Sequence, residues 1–193
     1  MTENIKEKAL KMIEDAHNED PNTKNGVAEE QLYADRMSKW LHKVDENASD
    51  LYKLAARCQH LYRWKIKRTN YSMDKKGYYQ WRYKLYQFQA DEAYKILIKA
   101  GYSEHDANLV KNMINKKNLR NNATAQVLED IACLCFLEHY LADFIDKNKD
   151  YSEEKWIGII QKTWNKMSEK AHELALKINY RDSDLTLIKK ALM

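Results

Sequence analysis

Four glycines and one proline in 193 residues leave this chain almost without turn formers. Ordinary proteins carry about 7% and 5% of these residues, and sheets joined by hairpins depend on them. Apolar residues recur instead at three and four spacing nearly everywhere, the period of helices that bury one face. No stretch of sustained alternation asks for a strand. The chain therefore reads as all-α, a single-domain helical bundle of about eight helices over residues 1–193. At this length roughly 70% of the unfolded surface can be buried, and 44% hydrophobic residues supply the core.

Stripes and caps place the predicted helices. The first runs from about Glu3 to His17 and stops before Pro21, and the polar segment Asn18–Gly26 reads as a loop. The second, about Ala28–Val44, turns Tyr33, Met37, Trp40, Leu41 and Val44 inward. Ser49 or Asp50 caps a third, with Leu51, Leu54, Ala55, Cys58, Leu61 and Tyr62 on its apolar face. Periodicity lapses from Ile66 to Gly77, resumes from about Tyr78 to Ala100, and ends at Gly101; Ser103 caps a shorter helix. The next, about Ala123–Lys147, is apolar on all sides from Ile131 to Leu137, as a centrally buried helix is. Ser152 caps a long amphipathic helix through Ile178, and the last spans Ser183–Leu192.

Charge excludes little. With 33 Lys+Arg against 29 Asp+Glu, the net charge of +4 describes an ordinary mixed surface rather than a polybasic one. Cys58, Cys133 and Cys135 are odd in number and sit in apolar patterns, the usage of reduced thiols. The first residues carry no apolar targeting region, and the longest apolar run, Ile131–Leu137, is too short to span a bilayer. The expectation is a cytoplasmic protein with no membrane partner.

Two sets of residues could carry chemistry. Glu129 and Asp130 lie on the helix that should be most buried, and buried carboxylates require partners. The third helix offers Lys53, Arg57, His60 and Trp64, a polar stripe at four, three and four spacing. Together they form either an ion pair stapling two helices or an active-site floor, in which His60, Glu129 and Asp130 position or deprotonate a water. The second set gathers Arg57, Arg63, Arg68 and Arg82 with Trp64, Tyr78 and Trp81. Guanidinium groups hold phosphate in a bidentate grip, and aromatic faces stack on rings. The alternatives are a solvated helix face whose rings enter the core, and a single-stranded nucleic-acid surface. A short patch on a nearly neutral chain weighs against nucleic acid. Lys166-Met167-Ser168-Glu169-Lys170 resembles the lysine loop of class I aminoacyl-tRNA synthetases, but an unbroken stripe from Trp156 to Ile178 places it inside a helix, and the companion His-x-Gly-His is absent.

Asp20-Pro21-Asn22, Leu32-Tyr33 with Arg36-Met37, Ala55-Ala56-Arg57 with Gln59-His60, Arg63-Trp64, Gly77-Tyr78, Trp81-Arg82, Leu128-Glu129-Asp130 and Lys166-Met167-Ser168 together resemble the domain-of-unknown-function family 4202 in order and spacing. That family brings no assigned activity. More remotely, the helix order resembles the HD superfamily of metal-dependent phosphohydrolases, with His60 in place of the central His and Asp130 in place of the distal Asp. Leu61 stands where that pattern has Asp, and Tyr33-Ala34-Asp35-Arg36 stands where it has its first His. Gln87, Phe88 and Gln89 occupy the position of a further His. The resemblance implies a divalent ion, manganese or magnesium, on His60 and Asp130, one short of the about three protein ligands of a catalytic site.

The expected function is binding, with hydrolysis as its extension, of a small phosphorylated, nucleotide-like ligand. Arg36, Arg57, Arg63, Trp64, Arg68, Tyr78, Trp81 and Arg82 would form the pocket, and His60, Glu129 and Asp130 the floor. The alternative is a non-catalytic HD-like module that has lost its metal and senses a nucleotide or docks a protein or RNA.

Overall fold

The computed structural model describes residues 4–115 and 123–193. The chain forms two compact units, residues 1–125 and 126–193. The first holds α1 (Ile5–Asn18), α2 (Glu29–Val44), α3 (Asp50–Arg57), α4 (Lys75–Ala100) and α5 (Glu104–Ile114). The second holds most of α6 (Ala123–His139), then α7 (Leu141–Lys147), α8 (Glu153–Trp164), α9 (Glu169–Ala175) and α10 (Asp182–Leu192). The chain is all-helical as expected, but its ten α-helices among the described residues outnumber the predicted eight. No helix among them is long and apolar enough to cross a membrane.

In the first unit, α4 lies against α1 and α5, and α3 packs on both α2 and α5. Ile13, Met37, Leu41, Leu54, Leu61, Leu97 and Ile114 are the large side chains that these contacts seal from water. In the second, α8 packs on α10, and Leu128, Ile131, Leu134, Leu141 and Ile160 are sealed. The apolar run of α6 is buried at Ile131, Cys133, Leu134, Cys135 and Leu137. All three cysteines are buried thiols, and burial pushes Cys58 up to about 12, which keeps it inert at neutral pH.

Five features differ from the sequence expectation. The segment read as a loop contains a small antiparallel pair, Thr23–Lys24 with Val27–Ala28. Asn25 and Gly26 turn it with φ of 54 and 80°, the left-handed pair that a two-residue hairpin needs. Helix α3 ends at Arg57, before His60 and Tyr62 take φ of 66 and 51°. Lys53, Arg57, His60 and Trp64 are therefore not one helical stripe. Helix α4 begins at Lys75, where Asp74 accepts the Gly77 N–H at 2.7 Å. The predicted long helices are broken at Tyr140 and between Trp164 and Glu169. At the second break His172 stacks on Trp164 at 4.2 Å and donates to its carbonyl at 2.9 Å, satisfying a helix end. Lys166-Met167-Ser168 thus lies between helices rather than inside one; Met167 and Ala171 are still buried, so the apolar spacing runs on through the break.

Candidate functional site

Helix α2 starts without a cap of its own, because Ala28 at its N-cap has no side-chain acceptor. Asp20 supplies one from the hairpin's entry. Its Oδ2 accepts the Glu30 N–H at 3.2 Å, while its Oδ1 accepts the Asn22 N–H at 2.9 Å and the Asn22 amide at 2.8 Å. The buried carboxylate therefore ties the Asp20-Pro21-Asn22 turn to the helix N-terminus, a role worth about 0.5–2 kcal/mol for ordinary caps. It also fixes Glu30 one position into the first turn, facing the chain that leaves α3.

That chain turns sharply at His60 and Tyr62. A left-handed conformation costs a residue with a Cβ roughly 1–2 kcal/mol, so two within three positions mark a turn held by its surroundings. The holding contacts are specific. His60 Nδ1 lies 3.0 Å from Glu30 Oε2, and Arg63 donates to His60 Nε2 at 2.7 Å. A guanidinium can only donate, so Nε2 is the accepting nitrogen and Nδ1–H donates to Glu30. The His60 ring also stacks on Tyr33 at 3.8 Å, nearly parallel at 9°. Arg63 Nε lies 4.0 Å from Glu30 Oε1, and its guanidinium sits 5.1 Å over the Trp81 ring. Trp81 in turn donates from Nε1 to the Ile66 carbonyl at 2.9 Å, joining the loop after His60 to α4.

The electrostatics follow from burial. Glu30 keeps only 13% of its side chain exposed, and its pKa is raised to about 7: burial is the largest cause, Arg63 opposes it and Asp20 adds to it. His17 is fully buried, and burial lowers its pKa. It donates from Nε2 to the Arg57 carbonyl at 2.7 Å, closing the end of α3, while its Nδ1 has no partner. His60 and Arg63 remain 22% and 30% exposed, so each reaches solvent in part.

Of the residues predicted for the pocket, Arg63 and Trp81 come together with His60 of the predicted floor, and Tyr78 lies 6.0 Å from Trp81, ring to ring. The others are engaged elsewhere. Arg57 pairs with Asp35 at 2.9 Å and lines a separate 280 Å³ cleft with Ser38, His42 and Lys53. Arg68 donates to the Tyr71 and Asp74 carbonyls and so closes the loop before α4. Arg82 bonds Tyr86 on its own helix, and Trp64 packs edge-on against Tyr62. Arg36 is half-buried on α2.

The two acids of the predicted floor are in the second unit with partners of their own. Asp130 Oδ1 accepts from Gln126 and from the Ser168 N–H, both at 2.8 Å, and Oδ2 accepts the Ser168 hydroxyl at 2.6 Å. Glu129 pairs with Lys166 at 3.4 Å. Asp130 thus anchors the α8–α9 break, with Ser168 as the α9 cap. A divalent ion does not fit this donor set: both His60 nitrogens are committed, one of them to a cation, and both Asp130 oxygens hold Ser168. No group of three or more His, Cys, Asp and Glu among the described residues could hold a metal.

Glu30, Tyr33 and Asp20 are the cluster members that the sequence reading did not assign to the site. Glu29-Glu30 at a helix start is what the helix dipole favours anyway, so nothing marks the second acid as buried. Asp20-Pro21-Asn22 before a helix lacking its own cap is the signal that could have led there. A family profile described as a domain of unknown function (DUF4202) matches residues 7–188. No curated protein and no solved structure matches the chain.

Proposed function

The chain belongs to that family of unknown function over nearly its whole length, and from this premise, which assigns no activity, we propose that the first unit binds a small phosphorylated, nucleotide-like ligand at Glu30, His60 and Arg63, without a metal. The observation that carries the reading is Arg63 held at 2.7 Å from a histidine nitrogen in a strained turn. In that position it offers a guanidinium face and, beside it, an imidazole edge, the pair of groups a phosphate takes up. Trp81 is buried beneath Arg63, and Tyr78, exposed and 6.0 Å from Trp81 ring to ring, is the face left for a ligand ring.

Glu30 accepting Nδ1–H leaves the tautomer whose Nε2 can take a proton from water once phosphate draws Arg63 aside. Turnover would then follow from Glu30 and His60 alone. In this reading the fold is an HD-like frame that keeps the central histidine and has replaced its metal with Arg63; buried thiols fit a cytoplasmic setting. A sensor that binds the same ligand without turnover is favoured by one detail, that Arg63 covers the only basic nitrogen in the resting cluster.

A thermal-shift panel of phosphorylated nucleotides with chelator, and again with manganese, tests the proposal. Saturation at 100 times Kd adds about 2.7 kcal/mol, a rise of roughly 5–10 °C for this size. The expected rise is indifferent to chelator and is lost in R63A. Phosphate release that disappears in H60Q while binding persists identifies an enzyme; binding with no release identifies the sensor. A rise that requires manganese, or one that survives R63A, contradicts the proposal.

A further inference from the structure

Between Gln59 and Ala90 the chain carries eight lysines and arginines and one acid, Asp74, so this stretch exceeds the whole chain's net charge of +4 and the remainder is net acidic. The sequence left open whether its rings enter the core. Trp81 and Leu85 do, but Tyr78, Tyr79 and Tyr83 are 42, 59 and 63% exposed. Tyr79 and Tyr83 are one turn apart, about 6 Å along the axis at 1.5 Å per residue. Lys75, Tyr79, Arg82, Tyr83 and Tyr86 recur at helical spacing on the outward side of α4, with Lys76 beside them, and Lys75, Lys76 and Lys84 are exposed.

The face is also preorganised. Gln87 donates to the Tyr83 hydroxyl at 2.8 Å, and Arg82 sits 4.8 Å over the Tyr86 ring while bonding its hydroxyl. Rings held in water between cations, on a convex helix rather than in a cleft, suit a flexible polyanion that brings its own flat faces. An acidic protein would satisfy the cations and leave the tyrosine faces without a use.

We propose that the outward face of α4, from Lys75 to Tyr86, binds single-stranded nucleic acid, the bases stacking on Tyr79 and Tyr83 and the phosphates meeting Lys75, Lys76 and Arg82. This surface is separate from the Glu30, His60 and Arg63 cluster and does not depend on it. Recognition is of backbone charge and ring faces, so it discriminates weakly among sequences.

Fluorescence anisotropy of a labelled 12-residue oligouridylate, titrated with the full chain at several salt concentrations, reads the proposal. Binding is expected at or below the about 1–100 µM range of non-specific contacts, with three phosphates giving a log–log salt slope of about −2. Y79A/Y83A weakens binding by about tenfold or more, Y79F/Y83F retains it, and R63A leaves it intact. A hairpin duplex of equal charge binds more weakly because its bases are already stacked. Absence of binding in that range overturns the proposal. So does binding that Y79A/Y83A leaves unchanged and polyglutamate displaces equally well, since the face would then be a plain charge surface. A native chain that binds oligouridylate but shows no thermal shift with any nucleotide, or a shift that R63A leaves intact, rejects the proposed function and leaves this inference standing.

Discussion

Burial drives Glu30 and His17 in opposite directions, and each sets its own pH slope on stability. Unfolded, Glu30 releases its proton near 4.5; folded, it holds it to about 7. The folded state therefore binds more protons between those values, and stability falls as pH rises through that window, by about 3 kcal/mol at most at about 1.4 kcal/mol per unit. His17 runs the other way. Its pKa is lowered from 6.5, so the unfolded ring takes up a proton that the folded ring refuses, and stability rises with pH up to 6.5. In the native chain the two offset one another over the shared range. Urea midpoints of E30Q and the native chain at pH 5, 6, 7 and 8 separate them: the variant gains on the native chain as pH rises, and a difference independent of pH contradicts the burial of Glu30. His60 was legible in the sequence through its polar spacing with Lys53, Arg57 and Trp64 and through its match to the HD pattern. Its acid partner was not, because burial of Glu30 depends on a turn that Asp20 ties from ten residues away.

The helices follow from their apolar stripes, whereas their ends follow from single contacts that a stripe does not register. Helix α4 illustrates the difference. A Cβ on Gly77 would stand 2.1 Å from the Ser72 carbonyl oxygen, so the loop closed by Arg68 must pass where only glycine leaves room. G77A should cost about 1–3 kcal/mol, the range for forced overpacking, and speed amide exchange in the first turn of α4. Gly158 is the matched control, since a Cβ there meets nothing within 4 Å and G158A should stabilise α8 by about 0.5–1 kcal/mol. Urea denaturation reads both, and equal effects of the same sign would contradict this account of the Ser72 contact. The break after α8 was invisible for a related reason: Met167 and Ala171 prolong the apolar period, and only the His172 and Asp130 contacts reveal that the helix has stopped. Asn25-Gly26 did carry a hairpin signal, but strands of two residues are too short to alternate.

Each of the two units is organised around buried carboxylates with distinct duties. In the first, Asp20 starts a helix and Glu30 faces an imidazole; in the second, Asp130 holds Ser168 and Glu129 pairs with Lys166. All-helical architecture and family were readable from spacing and motif order because both are spread along the chain. The site was only half readable, since its arginine, histidine and tryptophan stand out by type while its acid does not. The central claim is that phosphate enters between Arg63 and His60. ¹⁵N NMR of the histidine rings, recorded while inorganic phosphate and then a nucleoside monophosphate are added, observes that event at the atom concerned. The account predicts that the His60 Nε2 resonance moves on saturation, that the His17 and His172 resonances stay in place, and that R63A abolishes the movement. An Nε2 resonance unmoved by either anion, or moved equally in R63A, would contradict it.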